Sequence, residues 1–430
     1  MAKDRTYLSR VYEFWFKPVS AAGFGMMRMA FGLIAFTTML LEMPNVQRFY
    51  GPNGILTHDM IERVVRNSWR FSLLDNASET FVWLLSIVLL VSLFCVMLGV
   101  GRKWTLLVAT ILLFSFHEYG LITLDGGDTL MRLIAFILLL SPCYRTFSIA
   151  NLRKRQALIR TTGTDQPAAE RTMPIWPYRL LLWQIIILYV ASAVEKWTGN
   201  MWREGSAVAV ALHLSDFSRL TPWVADRLSI FSPIISYFTL LSQFGWGLII
   251  VIGICASLGL VRTDTTNRVK RLLIVCGLLI HGAIFLMMDV GTFSLTVFTA
   301  YLGLLLDDDF RTIRGRLSAA RPIVVLYDGR CGLCNTSVFI LSMLDWLHNF
   351  SFANYHDPEN RKRYAPNLGL NALSKEMHIR LGDGSYRKGF FAFRIVAWRV
   401  PVLWPLAPLG YLPGAGFIGS KVYAYVANHR

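Results

Sequence analysis

The chain has 430 residues, of which 54% are hydrophobic and 16% charged, and its mean hydropathy is +0.46. A soluble globule carries about 25% charged residues, so this composition argues against a wholly soluble protein. The net charge of +16 does not indicate nucleic acid, because the basic residues sit between apolar segments and no nucleic-acid module accompanies them.

The stretch from Met1 to Pro18 is polar and basic. It lacks a compact apolar region and a small-residue cleavage site, so no cleaved signal peptide is expected. About eight apolar segments follow, most of them long enough to cross a bilayer as helices. They are Ala22–Glu42, Thr80–Val100, Trp104–Leu121, Thr129–Ser141, Arg179–Val194, Pro233–Leu258, Arg271–Met288 and Gly291–Leu306. Basic residues fall in alternate connections. Lys3, Arg5, Arg10 and Lys17 precede the first segment, and Arg102 and Lys103 follow the second. Arg145, Arg153, Lys154, Arg155, Arg160, Arg171 and Arg179 follow the fourth, Arg262, Arg268, Lys270 and Arg271 the sixth, and Arg311, Arg314, Arg316 and Arg321 the eighth. One topology satisfies the positive-inside rule at every connection, with both termini cytoplasmic. The long Arg145–Pro177 connection, with its run from Thr161 to Pro167, reads as a flexible cytoplasmic linker. The aromatic-rich connection around Trp202, Phe217 and Trp223 reads as interfacial or re-entrant.

Ionisable residues at membrane depth are costly and mark candidate sites. Here they are Arg28, Glu42, His117, Glu118, Asp125, Asp128, Arg132, Glu195, Lys196, His281 and Asp289. Most fall toward the outward half, which predicts a polar chamber opening outward; the competing explanation is structural ion pairs and snorkelling ends. A desolvated Lys196 could act as a base. His281 is either a proton carrier or ligand, or a histidine hydrogen-bonded within the bundle. No His/Cys cluster lies in the membrane segments, so no metal is expected there. Cys95, Cys143, Cys255 and Cys276 read as small buried hydrophobes.

The character changes after Arg321. A short strand, Ile323 to Leu326, leads into Tyr327-Asp328-Gly329-Arg330-Cys331-Gly332-Leu333-Cys334 and then an apolar helical pattern. Two thiols three residues apart at a helix start form a dithiol redox pair, since the helix N-terminus favours the thiolate of the first. A half zinc site is disfavoured, because no second Cys-x-x-Cys follows and His348 and His356 are poorly spaced for one. Strands at Phe350–Tyr355 and His378–Leu381, a Gly382-Asp383-Gly384 turn, and helices at Phe390–Trp398 and Ser420–His429 complete the pattern. The expected fold is a polytopic α-helical membrane protein of about eight spans, with a C-terminal thioredoxin-like α/β domain. A cytoplasmic tail covers residues 1–20, the membrane domain 21–310 and the α/β domain 321–430.

The membrane half resembles the HTTM family, whose best-known relatives are the vitamin K-dependent gamma-carboxylases. The resemblance is carried by Arg28-Met29-Ala30-Phe31-Gly32 with Phe49 to Leu56, by Gly126 to Arg132, by Tyr189 to Trp197 with Trp202 to Ala207, and by His281 with Met288 to Phe293. It implies that Lys196 is the base that deprotonates a reduced quinone. It also implies that Arg28, Asp128, Tyr189, Trp202 and His281 surround a vitamin K-like hydroquinone. Two positions depart from the animal enzymes: Asp128 stands where they have a histidine, and Glu195 where they have a second lysine. Hydroquinone or lipid chemistry is therefore expected ahead of peptidyl-glutamate carboxylation.

The C-terminal part resembles the DCC family of thiol-disulfide oxidoreductases. Tyr327-Asp328-Gly329-x-Cys331-x-x-Cys334, Lys388 to Phe393 and Val422 to Arg430 carry this resemblance. It implies an attacking Cys331, a resolving Cys334 and a proton-transferring or orienting Asp328. The expectation is thus a membrane-bound oxidoreductase in a bacterial inner (cytoplasmic) membrane, its C-terminal domain cytoplasmic. Its partners would be the lipid bilayer, a quinol or lipid substrate and a thiol redox partner protein, with no nucleic acid and no metal. The alternatives are a carboxylase-like lyase and a non-enzymatic scaffold or immunity-type protein.

Overall fold

The computed structural model describes residues 7–64, 71–120, 124–154, 171–317, 323–345, 349–404 and 406–428. Lys3, Arg5, Arg155, Arg160, the linker at 161–167, Arg321, His348 and the closing His429-Arg430 lie outside the described residues. The chain divides into two compact units, Met1–Asp307 and Asp308–Arg430.

In the first unit a helix stands at each of the eight apolar segments. They are α1 (Ala22–Glu42), α2 (Glu79–Leu98), α3 (Arg102–Tyr119), α4 (Gly126–Leu140), α5 (Trp176–Thr198), α6 (Ser232–Ser257), α7 (Thr263–Met287) and α8 (Phe293–Gly303). Shorter helices are named below by residue range. Five helices are long and apolar enough to cross a membrane: Ala22–Tyr50, Glu79–Leu98, Trp176–Thr198, Ser232–Ser257 and Asp264–Met287. The other three differ for physical reasons. The α3 helix carries Arg102, Lys103 and Glu118, α4 has 15 residues, and α8 has 11. At 1.5 Å per residue α8 spans only about 16 Å. It compensates by position: α8 packs against α1, α4, α5 and α7, so its backbone lies among protein and need not match the bilayer.

Local chemistry sets the helix ends. Ser78 caps α2 by accepting the Phe81 N–H at 3.3 Å, and Gly99 ends it at φ +71°. Prolines in the first turn start α5 and α6. Two short strands, β1 (Pro18–Ser20) and β2 (Thr172–Pro174), pair antiparallel. The core joins Phe24, Met27 and Phe31 of α1 to Leu89 and Leu93 of α2, Ile134 of α4, Ile185 of α5 and Trp246 of α6. Leu33, Ile87, Val91, Leu241, Leu248 and Leu279 remain exposed on the outer faces, as expected of surface that lipid would cover.

The second unit holds a four-stranded sheet, β3 (Ile323–Tyr327), β4 (Phe350–Asn354), β5 (His378–Arg380) and β6 (Tyr386–Lys388), in the order β4-β3-β5-β6. The β3–β4 pair is parallel; β3–β5 and β5–β6 are antiparallel. Helix α9 (Gly332–Leu344) connects β3 to β4. Helices α10 (Pro358–Tyr364) and α11 (Leu370–Lys375) lead to β5, and α12 (Gly389–Arg399) and α13 (Ala415–Asn428) follow β6. Strand alternation builds two cores. Ile323, Val325 and Ile379 face Ala392 and Val396 of α12, while Val324 and Leu326 face Leu373 of α11.

Candidate functional site

The β3 strand ends in a tight turn that delivers the two cysteines. Its geometry depends on Asn354, at the end of the neighbouring β4. Asn354 Oδ1 accepts the Gly329 N–H at 3.1 Å and the His356 N–H at 3.1 Å, tying together the loops that leave the two parallel strands. A Cβ at Gly329 would lie 2.3 Å from Asn354 Nδ2, so the turn excludes a side chain there. Cys331 is the N-cap of α9, and its Sγ accepts the Cys334 N–H at 3.3 Å. A sulfur at this position meets the positive end of the helix and an amide donor, both of which favour the thiolate. Both cysteines are partly exposed.

Asp328 stands beside this pair. Its carbonyl oxygen accepts the Cys331 N–H at 3.3 Å. Its Oδ1 accepts the Arg330 N–H at 2.9 Å and pairs with His356 Nε2 at 2.9 Å. Partial burial pushes the Asp328 carboxyl up. Hydrogen bonds from Arg330, Tyr355 and His356 together outweigh it and hold the group below the usual carboxylate range. The dithiol is thus flanked by an ionised carboxylate paired with a histidine.

In the first unit Tyr189 of α5, His281 of α7 and Tyr301 of α8 meet in the interior. The Tyr189 hydroxyl is 2.9 Å from His281 Nε2 and hydrogen-bonds the Tyr301 hydroxyl. Trp246 of α6 stacks on Tyr189 at 5.3 Å and on Tyr301 at 6.1 Å. His281 is 3% exposed, and its Nδ1 has no hydrogen-bond partner among the described residues. His281 is therefore hydrogen-bonded within the bundle and keeps one ring nitrogen available. Lys196 lies two turns from Tyr189 on α5. It donates to Ser192 Oγ, sits 5.4 Å from the Trp202 ring, and is near enough to His281 for their charges to interact. Glu195 is exposed, and its charge still interacts with the half-buried Lys196 beside it.

Asp128 lies elsewhere, in a cavity of about 110 Å³ between α1, α2, α3 and α4 that Glu42, Tyr50 and His117 also line. Asp125 and Asp128 form a capping box at the start of α4: Asp125 Oδ1 accepts the Asp128 N–H at 3.0 Å, and Asp128 Oδ2 accepts the Asp125 N–H at 3.2 Å. The other Asp128 oxygen is 3.8 Å from His117 Nε2, and Tyr50 donates to Glu42 at 3.2 Å. Arg132 pairs with Glu118 at 2.5 Å. Arg28 is fully buried and donates to the Val96, Met97 and Phe147 carbonyls. Its guanidinium secures the end of α2, away from the residues above.

A family model described as an HTTM domain matches residues 16–301. The chain belongs to the HTTM family. In this HTTM protein a second model, the DCC1-like thiol-disulfide oxidoreductase, matches residues 325–430. Comparisons with curated proteins and with solved structures return no match. Membrane-length helices and a dithiol oxidoreductase domain in one HTTM chain indicate a membrane redox role.

Sequence reasoning missed His356 as the Asp328 partner and Tyr301 and Trp246 as partners of Tyr189. A weak signal existed for Tyr301, a hydroxyl inside an apolar run. None existed for His356, since only the parallel pairing of β3 and β4 brings it to Asp328.

Proposed function

We propose that this protein is a membrane-bound oxidoreductase whose thioredoxin-like C-terminal domain exchanges electrons with a protein dithiol or disulfide. The Cys331 thiolate attacks a partner disulfide, forming a mixed disulfide and releasing one partner thiolate. Cys334, losing its proton, attacks Cys331 Sγ and releases the second. The net result is one Cys331–Cys334 disulfide and a partner reduced to two thiols; the reverse sequence oxidises a partner. The Asp328–His356 pair orients the turn and takes or returns the proton. The carrying observation is the Cys331 sulfur at the α9 N-terminus, accepting the Cys334 N–H beside that pair.

The basic-residue asymmetry supports a cytoplasmic position for this domain, where the dithiol would rest reduced. In the membrane domain, a quinol-like or lipid-like molecule would lie beside Tyr189, His281 and Trp202. Lys196 would serve as its base, and its half-buried position beside Ser192 and the Trp202 ring supports that role. Carboxylase-like lyase activity is the second reading of the same lysine.

The test is the alkylation rate and redox potential of Cys331 and Cys334 in membranes, probed from each side. A fast-reacting Cys331 that cycles with Cys334 and is reached from the cytoplasmic side supports the assignment. Inert thiols, or thiols reached only from outside, would overturn it.

A further inference from the structure

The surface at the end of the chain has a distinct chemistry. Residues 389–430 contain no Asp or Glu, four basic residues and nine aromatics. Every acidic residue of the second unit precedes Gly389. Helix α13 divides this material sharply. Its inner face is Gly416, Gly419 and Tyr423. A Cβ at Gly419 would lie 2.3 Å from the Phe390 ring, and the Tyr423 hydroxyl oxygen accepts the Met377 N–H at 2.7 Å. Small residues thus let α13 close onto α12.

The outer face follows the i, i+1, i+4, i+5, i+8 pattern of a single helical stripe: Phe417, Ile418, Lys421, Val422 and Tyr425. Phe417, Ile418 and Tyr425 are each more than 60% exposed. The 3-10 segment Ala407–Tyr411 packs against both α12 and α13, and beside it Leu409 and Leu412 are each 56% exposed. Lys421 lies 4.4 Å from the Phe417 ring, a cation set within an apolar and aromatic field. A soluble domain rarely leaves such a surface to water.

We infer that this face docks on the surface of an anionic lipid bilayer. Its apolar side chains enter the boundary between headgroups and acyl chains, and Lys421 meets the phosphates. Three observations select lipid as the occupant. The domain follows directly on a chain with five membrane-length helices, so its own polypeptide keeps it within reach of a bilayer. The face carries aromatic residues and positive charge with no acid, complementary to anionic headgroups. A second copy would bring like charges together, which disfavours self-association through this face.

The experiment uses the full chain in nanodiscs containing anionic phospholipid. A photoreactive benzoylphenylalanine replaces Phe417 in one variant, Leu412 in a second, and the exposed Glu359 of α10 in a third. Unchanged alkylation of Cys331 confirms that each is folded. Irradiation is expected to give lipid adducts at 417 and 412 and few at 359. Adding Lys421→Glu to the first variant should lower the lipid adduct about fivefold, as roughly 1 kcal/mol per basic residue implies. Adducts to peptide instead of lipid, or equal lipid yields at 417 and 359, would overturn the inference.

Discussion

Asp328 and His356 are the residues on which the dithiol's environment turns. Cys331→Ser should abolish exchange, and Cys334→Ser should trap the mixed disulfide, detectable as a partner-sized mass shift on a non-reducing gel. Asp328→Asn and His356→Gln leave the cysteines in place but remove the ionised acceptor or its partner. Exchange should slow by about 10²-fold if the pair moves the proton. Fluorescence-monitored turnover across a pH series separates that role from simple packing, because the pH profile itself must change. The folded Asp328 carboxyl titrates below its unfolded value. Its stabilisation is therefore complete above the ordinary carboxylate pKa of about 3.9 and is lost as pH falls through the folded value. Protease resistance of the C-terminal domain should differ between wild type and Asp328→Asn at neutral pH and converge in acid.

The meeting of α5, α7 and α8 depends on one glycine. A Cβ at Gly277 would lie 1.9 Å from the Tyr301 hydroxyl, whereas a Cβ at Gly282, on the same helix, would meet nothing within 4 Å. Gly277→Ala should push Tyr301 away from Tyr189 and cost about 1–3 kcal/mol; Gly282→Ala should be close to neutral. Thermal stability in detergent compares the two directly. Tyr189→Phe removes the hydroxyl shared by His281 and Tyr301, leaving buried polar groups unpaired at about 1–3 kcal/mol. A similar close approach shapes the start of α4. A Cβ at Gly127 would lie 2.7 Å from the Phe293 backbone, so the glycine pair before Asp128 serves helix contact as well as capping.

At the scale of the whole molecule, an HTTM domain and a dithiol oxidoreductase domain share one polypeptide. If electrons pass between them, a mobile carrier is expected to connect the dithiol with the quinone proposed at Lys196. Cys331→Ser should then impair the turnover of a reduced quinone by purified protein in liposomes. Unchanged turnover would separate the two halves into independent functions. Lys196→Ala should remove quinone chemistry while leaving Cys331 alkylation at its wild-type rate.

Much of this molecule is legible along the chain. Each of the eight apolar runs coincides with a helix of the first unit, because helix burial in lipid or protein needs local hydrophobicity that composition records. The dithiol was legible for a similar reason: Cys331 and Cys334 are placed by one helix start, and their chemistry depends on residues three apart. The relations between distant segments were not legible. Arg28 is a membrane-depth cation in sequence, yet its donors go to carbonyls from residues 96, 97 and 147. Asp128 shares a cavity with Glu42 and His117, while Tyr189 shares one hydrogen-bond network with His281 and Tyr301, 92 and 112 positions away. Hydropathy fixes which segments are buried and leaves open which faces meet. Those meetings follow from close approach at Gly127 and Gly277 and from strand pairing at Asn354, and only the tertiary structure decides them.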